Sequence, residues 1–248
     1  MAGHSKWANI QHRKNKQDAK RSKQFTKLIR EITVAARMGG GDAGANPRLR
    51  SAIDAALSGN MTKGTIERAI KRGGGGGEGK NVEEIRYEGY GPGGVAIIVD
   101  SMTDNRVRTV AEVRHAFTKC GGNLGTDGSV AFLFEKCGLI SCPSGSNEDL
   151  LMTIALDAGA EDVVTNEDGS FDIITTPETF MKVRAALQET RLSIESAAIT
   201  MRATTTCKLD MDNAKAMIDL LDMLEDLDDV QHVYSNADIP ESILAQLA

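Results

Sequence analysis

The chain has 248 residues and a formal net charge of −6 at pH 7, with 41% apolar and 4% aromatic residues. This length allows one large domain or two to three small ones, with cores built on Ala, Val, Ile, Leu and Met. Even the longest wholly apolar runs, such as Val95–Val99, are too short to span a membrane. Residues Met1–Lys6 lack the apolar stretch of a secretory signal. The four cysteines lack paired C-x-x-C spacing, which indicates reduced thiols in a cytoplasmic protein.

Charge is distributed very unevenly along the chain. Residues 1–80 hold 17 of the 29 basic side chains but only 6 of the 35 acidic ones, a local net charge of +11. The rest of the chain therefore carries −17. Dense basic clusters attract polyanions through phosphate contacts and counterion release. The split predicts a nucleic-acid-binding module joined to an acidic carrier, and it disfavours an enzyme.

The N-terminus begins with a basic arm followed by a basic helix. Residues 1–16 are polar and lack apolar periodicity, and we expect a flexible arm there. Apolar residues at helical spacing then predict a helix over Gln17–Met38. On the face opposite the apolar one lies a basic stripe formed by Lys20, Lys23, Lys27, Arg30 and Arg37. Such a stripe suits phosphates, although an ordinary surface helix shows the same pattern.

Two further helices complete a basic bundle over residues 17–73. Asn46 and Pro47 supply an N-cap and a first-turn proline for the second helix. The third helix begins after Thr62 and ends at Gly73. The glycine-rich residues 74–81 that follow have the composition of a linker.

Beyond the linker, short strands alternate with helices. Strand, helix and strand are predicted at Val95–Ser101, Arg106–Lys119 and Val130–Phe134, and again at Met201–Lys208, Met211–Leu224 and Val230–Tyr234. A further set lies between them, from a strand at Leu139–Cys142 to one at Ile194–Ile199. We therefore predict the α+β class: an N-terminal three-helix bundle followed by two ferredoxin-like α+β domains, the second inserted in the first. The first would comprise residues 82–136 plus 201–248, and the inserted domain residues 137–200.

Two glycine motifs resemble nucleotide-binding loops but lack the required context. Gly74-x4-Gly79-Lys80 is followed by Asn81 instead of Ser or Thr, and it follows a helix where a P-loop follows a strand. Gly89-x-Gly91-x-x-Gly94 precedes a strand and opens no helix.

The residues that usually provide chemistry show no catalytic or metal-binding pattern. The histidines are dispersed, and Cys137 and Cys142 lack zinc-ligand spacing. Acidic residues between Asp219 and Asp229 indicate a solvated helix face and its exit. We therefore predict no catalytic residues, no metal site, no cofactor and no small-molecule substrate.

The arm combines side chains that suit nucleic acid. Lys and Arg can contact phosphates, while Trp and His can stack on unpaired bases. A charged tail that aids solubility is the alternative, and the single tryptophan of the chain weakens it. The predicted nucleic-acid-binding residues are His4, Lys6, Trp7, Asn9, His12, Arg13, Lys14, Lys16, Lys20, Lys23, Lys27, Arg30, Arg48, Arg50, Lys71 and Arg72.

Several motifs together resemble one protein family. The opening Ala2–Ile10 followed by His12-Arg13-Lys14, with Asn46–Arg50, Tyr87–Gly94 and Gly121–Gly125 further on, is similar to the YebC/PmpR family over essentially the whole chain. Its members are bacterial probable transcriptional regulators, and the mitochondrial translational activator of cytochrome c oxidase is a relative. The resemblance implies a helical N-terminal domain, two α+β domains, a cytoplasmic location and DNA-binding regulation. It also points to the ribosome, where members are thought to relieve stalling.

The predicted function is a non-enzymatic, cytoplasmic nucleic-acid-binding regulator of gene expression, with DNA-binding transcriptional regulation as the first hypothesis. The alternative is a ribosome-associated translation factor that contacts rRNA or tRNA and relieves stalling. Trp7 among Lys6, His12 and Arg13 suits unpaired RNA better than a duplex groove. A small-molecule-sensing module stays open as a third class, because such folds host many functions. The expected partners are DNA, ribosomal RNA or the ribosome, and no membrane.

Overall fold

The structure is a computed structural model that describes residues 17–75, 82–166, 168–190 and 192–247. These residues form two compact units. The bundle-bearing unit contains the described residues up to 129 together with 211–233, and the inserted unit contains 130–210 and the residues from 234 onward. Both units combine helices with strands, so the predicted α+β class, with N-terminal helices followed by sheet-containing domains, is confirmed.

The described helices are α1 (Gln17–Gly39), α2 (Pro47–Ser58), α3 (Lys63–Gly74), α4 (Arg106–Lys119), α5 (Glu148–Ala158), α6 (Phe180–Glu189), α7 (Met211–Glu225) and α8 (Glu241–Leu247). The described strands are β1 (Glu83–Tyr90), β2 (Ala96–Thr103), β3 (Asn123–Leu124), β4 (Phe134–Cys142), β5 (Asp162–Thr165), β6 (Phe171–Thr175), β7 (Ser196–Ala203), β8 (Cys207–Lys208), β9 (Val230–Ser235) and β10 (Ala237–Asp238). Among the described residues, no helix is both long and apolar enough to cross a membrane.

Helices α1 to α3 pack around a small apolar core that includes Ile32, Leu49 and Ala56. Asn46 caps α2 as predicted, because its side-chain oxygen accepts a hydrogen bond from the backbone N–H of Leu49 at 3.0 Å. The Asn46 side-chain amide also donates to two carbonyl oxygens at the end of α1, those of Ala35 and Gly40. One side chain therefore both starts α2 and holds it against α1.

The sheet of the bundle-bearing unit has the strand order β3-β1-β2-β9. β1 runs antiparallel to β2 along its whole length and to β3 at its last two residues. Helices α4 and α7 contribute Phe117, Met217 and Leu220, which are fully buried like Ile97 of β2. β1 was not predicted from the sequence, because charged residues such as Arg86 interrupt its apolar pattern.

The inserted unit has the ferredoxin-like order of elements, strand–helix–strand–strand–helix–strand from β4 to β7. Its sheet order is β5-β6-β4-β7, and β4 is antiparallel to both β6 and β7. The core contains Ile140 and Ile173 of the sheet, with Leu151 of α5 and Val183 and Leu187 of α6.

Two predicted strands were wrong in extent. Val130–Phe134 forms a short 3-10 turn over Ala131–Leu133, after which β4 begins at Phe134. Met201–Lys208 is split between the end of β7 and the separate β8. Because β7 pairs with β4 out to Ala203, residues 201–203 belong to the sheet of the inserted unit. This unit therefore extends beyond the predicted residues 137–200.

Candidate nucleic-acid interface

Half of the predicted nucleic-acid-binding residues fall in the arm. His4, Lys6, Trp7, Asn9, His12, Arg13, Lys14 and Lys16 lie outside the described residues. Lys20 lies on α1, but its side chain is also outside the described part. The roles of all nine remain predictions.

Three cations of the basic stripe of α1 face an acidic segment of the same unit, Glu225–Asp229, which begins at the last residue of α7. Lys23 Nζ contacts Asp226 Oδ1 at 2.9 Å. One turn along, Lys27 Nζ donates to the carbonyl oxygen of Glu225 at 3.0 Å, and burial lowers the pKa of Lys27. The third cation on this segment is Arg30, whose Nη1 lies 3.0 Å from Asp229 Oδ1. The structure thus brings the predicted cations together, but against carboxylates and carbonyls of their own chain.

Asp229 is the centre of a buried polar cluster. Its residue surface is only 2% exposed, whereas the sequence analysis expected a solvated position. Besides Arg30, its carboxylate accepts hydrogen bonds from Arg108 Nη2 at 2.6 Å, from Thr109 Oγ1 at 2.7 Å and from Thr103 Oγ1 at 3.0 Å. Burial alone would raise the pKa of Asp229, but these hydrogen bonds and the Arg108 charge hold it below its ordinary value.

Arg48 and Arg50 also have partners within their unit. Arg48 contacts Glu31 of α1 at 2.7 Å and Glu84 of β1 at 2.6 Å, and its hydrogen bonds to these carboxylates raise its pKa despite partial burial. Arg50 donates to the carbonyl oxygens of Ala43 and Gly44, at 3.1 and 2.8 Å. Arg48 therefore connects α2 to α1 and β1, while Arg50 holds the loop before α2.

The outer face of α3 presents cations to solvent. Lys71 and Arg72, both predicted as binding residues, are exposed in its last turn. Lys63 and Arg68 are exposed on the same helix, whose buried residues are Ile66 and Ala69. Arg68 donates to Thr65 Oγ1 of its own helix at 3.1 Å. None of the ion pairs between described side chains involves these four cations, which we call the α3 basic face.

The cluster formed around Asp229 by Arg108, Thr103 and Thr109 was not predicted from the sequence. The residues near Arg108 indicate only where α4 starts. The Asn105 side chain caps that helix by accepting a hydrogen bond from the Arg108 backbone N–H. Nothing in the local pattern indicates that Arg108 lies beside a carboxylate 121 positions away.

The described residues contain no group of three or more His, Cys, Asp and Glu side chains placed to hold a metal ion. Cys137 and Cys142 are buried. Burial raises the pKa of both thiols, that of Cys142 to about 11. At neutral pH both are therefore protonated and poorly nucleophilic.

Two family models match nearly the whole chain. The TACO1/YebC N-terminal domain matches residues 5–76, and the TACO1/YebC second and third domain matches residues 82–237. These matches confirm the family resemblance, and their division agrees with a helical bundle followed by sheet-containing domains.

Relatives agree with the family models. The chain is 68% identical to a probable transcriptional regulatory protein of Methylococcus capsulatus, covering all of both chains, and 63% identical to one of Francisella tularensis over the same extent. The crystal structure of a conserved hypothetical protein from Aquifex aeolicus superimposes with a TM-score of 0.82 at 50% identity, covering 92% of this chain and 94% of that one. On all of these grounds, the chain belongs to the TACO1/YebC family.

Proposed function

We propose that this protein is a non-enzymatic, cytoplasmic regulator of gene expression that binds nucleic acid, with duplex DNA as its first target. The similar proteins named as probable transcriptional regulatory proteins support the regulatory role. The observation that carries nucleic-acid binding is the α3 basic face, where Lys63, Arg68, Lys71 and Arg72 are exposed. Such cations can contact phosphates without first leaving an ion pair.

Contacts of this kind position a protein on nucleic acid without reading its sequence. Lys and Arg that meet phosphates supply an affinity that falls steeply with salt. Glu67 is the only acidic residue on α3, so the local charge of its solvent face is positive. We therefore expect binding to duplexes of different sequence with similar affinity, and target selection to come from elsewhere in the molecule.

The test compares the full chain with a Lys71→Ala, Arg72→Ala variant, each titrated against one duplex DNA over a range of salt concentrations. Loss of two phosphate contacts should make the slope of log K against log salt shallower by about 1.8 for B-DNA. The control, Lys182→Ala with Lys208→Ala, removes the same charge from exposed sites of the inserted unit. If both variants change the slope equally, α3 is not the interface.

A ribosome-associated role is the second candidate, and the composition of the arm favours it. Trp7 stands among Lys6, His12 and Arg13, and stacking of an indole on an unpaired base contributes about 1–3 kcal/mol. Trp7→Ala should then weaken binding to ribosomal RNA more than to duplex DNA at one fixed salt concentration. A loss confined to RNA would place the ribosome first, whereas equal losses on both ligands would remove the reason for this candidate.

A further inference from the structure

We propose that the acidic segment Glu225–Asp229 is an internal competitor for nucleic acid. It covers Lys23, Lys27 and Arg30 of the basic stripe of α1, and its outer part is displaced when a polyanion binds. This inference rests on the proposed nucleic-acid binding and adds a means of limiting it. Carboxylates and carbonyl oxygens here take the hydrogen-bond and charge positions that phosphate oxygens would take on the same Lys and Arg side chains.

The contacts between the stripe and the segment are graded from the surface inward. At the outer end, the side chains of Lys23 and Asp226 are 40% and 68% exposed. In the middle, Lys27 is half-buried and donates to the backbone carbonyl oxygen of Glu225. At the inner end, Arg30 contacts the Asp229 carboxylate and also donates to the carbonyl oxygens of Met102 and Asp228, both at 2.8 Å. Exposure therefore falls from Lys23 to Arg30, and Arg30 makes three contacts where Lys23 makes two, both of them with Asp226.

The change in exposure distinguishes the outer contact at Lys23, which a phosphate can displace, from the inner contact at Arg30, which is permanent. An exposed ion pair contributes little to stability and is screened by salt, so a phosphate can replace Asp226 as the partner of Lys23. At the inner end, Arg30 would have to give up three hydrogen bonds, one of them to a buried carboxylate, so it stays in place. The inner contact keeps α1 against its unit, while the outer end opens and makes the Lys23 ammonium available.

The same geometry predicts the direction in which a single substitution acts. In Asp226→Asn the competing charge is lost, and Lys23 becomes available to phosphate at less cost. Asp219→Asn is the matched control, because Asp219 is an exposed aspartate of α7 and the change in net charge is identical. Any difference between the two variants therefore reports the contact with Lys23 and excludes the general charge of the chain.

The experiment titrates the full chain and both variants against one 30-base-pair duplex, with thermal melts to show that folding is unchanged. We expect Asp226→Asn to bind roughly 2- to 5-fold more tightly than Asp219→Asn, with a salt slope steeper by about 0.9. Adding Lys23→Ala to Asp226→Asn should abolish this gain.

The binding results distinguish failure of the internal competitor from failure of the proposed function. If the unaltered chain binds and the two aspartate variants bind alike, the internal competitor is disproved while the proposed function stands. If none of the proteins binds even at low salt, the proposed function fails and the inference fails with it. If only Asp226→Asn binds detectably, the segment acts as a complete cover, and the inference is upheld in its strongest form.

Discussion

Arg30 and Asp229 lie 199 positions apart in the chain, and Nη1 of Arg30 contacts Oδ1 of Asp229 at 3.0 Å. Arg108, at the start of α4, contacts the other carboxylate oxygen at 2.6 Å. One buried carboxylate thus links α1 of the bundle to α4 and to the segment between α7 and β9. This residue is therefore one of the contacts that hold the bundle against its sheet, and it helps to place the basic stripe of α1 beside Glu225–Asp229.

Replacing Asp229 by Ala should destabilise the protein strongly. Two arginines and two threonine hydroxyls would lose their shared acceptor in a buried site, and we expect the free energy of unfolding to fall by about 3–5 kcal/mol. Urea denaturation at pH 7 measures this loss of unfolding free energy. Asp226→Ala is the control, because its exposed ion pair should contribute about 0–1 kcal/mol. Similar losses in both variants would contradict the central role of Asp229.

The contribution of Asp229 should also depend on pH. Its pKa is held below the ordinary value in the folded protein, so its stabilising effect is complete above the unfolded pKa of about 3.9 and is lost as the pH falls through the lower folded value. The difference in unfolding free energy between the unaltered protein and Asp229→Asn should therefore be constant from pH 7 to 5 and narrow below about pH 4. Denaturation curves at a series of pH values measure this difference. A difference in unfolding free energy that widens in acid would contradict the lowered pKa of Asp229.

Neighbouring glycines at the end of α3 should respond oppositely to alanine. A Cβ atom on Gly73 would collide with the carbonyl oxygen of Thr33 and lie 2.9 Å from the Ala36 side chain, whereas one on Gly74 would meet nothing within 4 Å. Gly73→Ala should cost about 1–3 kcal/mol through overpacking of α3 against α1. Gly74→Ala should be neutral or stabilising by up to about 1 kcal/mol, because Ala favours the helix. Thermal unfolding of the two variants distinguishes them, and equal midpoints would show that α3 does not pack this closely.

The buried thiols should resist alkylation. Cys137 and Cys142 are inaccessible and have raised pKa values, about 11 for Cys142, so little thiolate is present at pH 8. Treatment with iodoacetamide followed by peptide mass spectrometry should label them much more slowly than the partly exposed Cys207. In denaturant all three should react at similar rates. Rapid labelling of Cys142 in the native protein would show that the inserted unit opens readily.

Local signals determined much of this protein from the sequence alone. The 3.6-residue period located α1, and the cap at Asn46 with Pro47 located the start of α2. The predicted limits of α4, Arg106–Lys119, agree with the structure. These features depend on neighbours within a few residues, which is why a pattern in the sequence reveals them.

Only the tertiary structure decided which surface each charged residue faces. The period of α1 placed Lys23, Lys27 and Arg30 on one side, but it could not show that Glu225–Asp229 lies against that side. Likewise β1 was missed because the partner of Arg86 is Asp100 on the neighbouring strand, so its charge is paired across the sheet. Pairing between distant residues depends on how the chain crosses itself, and the energy of a charged side chain depends on its partners and its exposure to water. Neither quantity is encoded in the local sequence pattern.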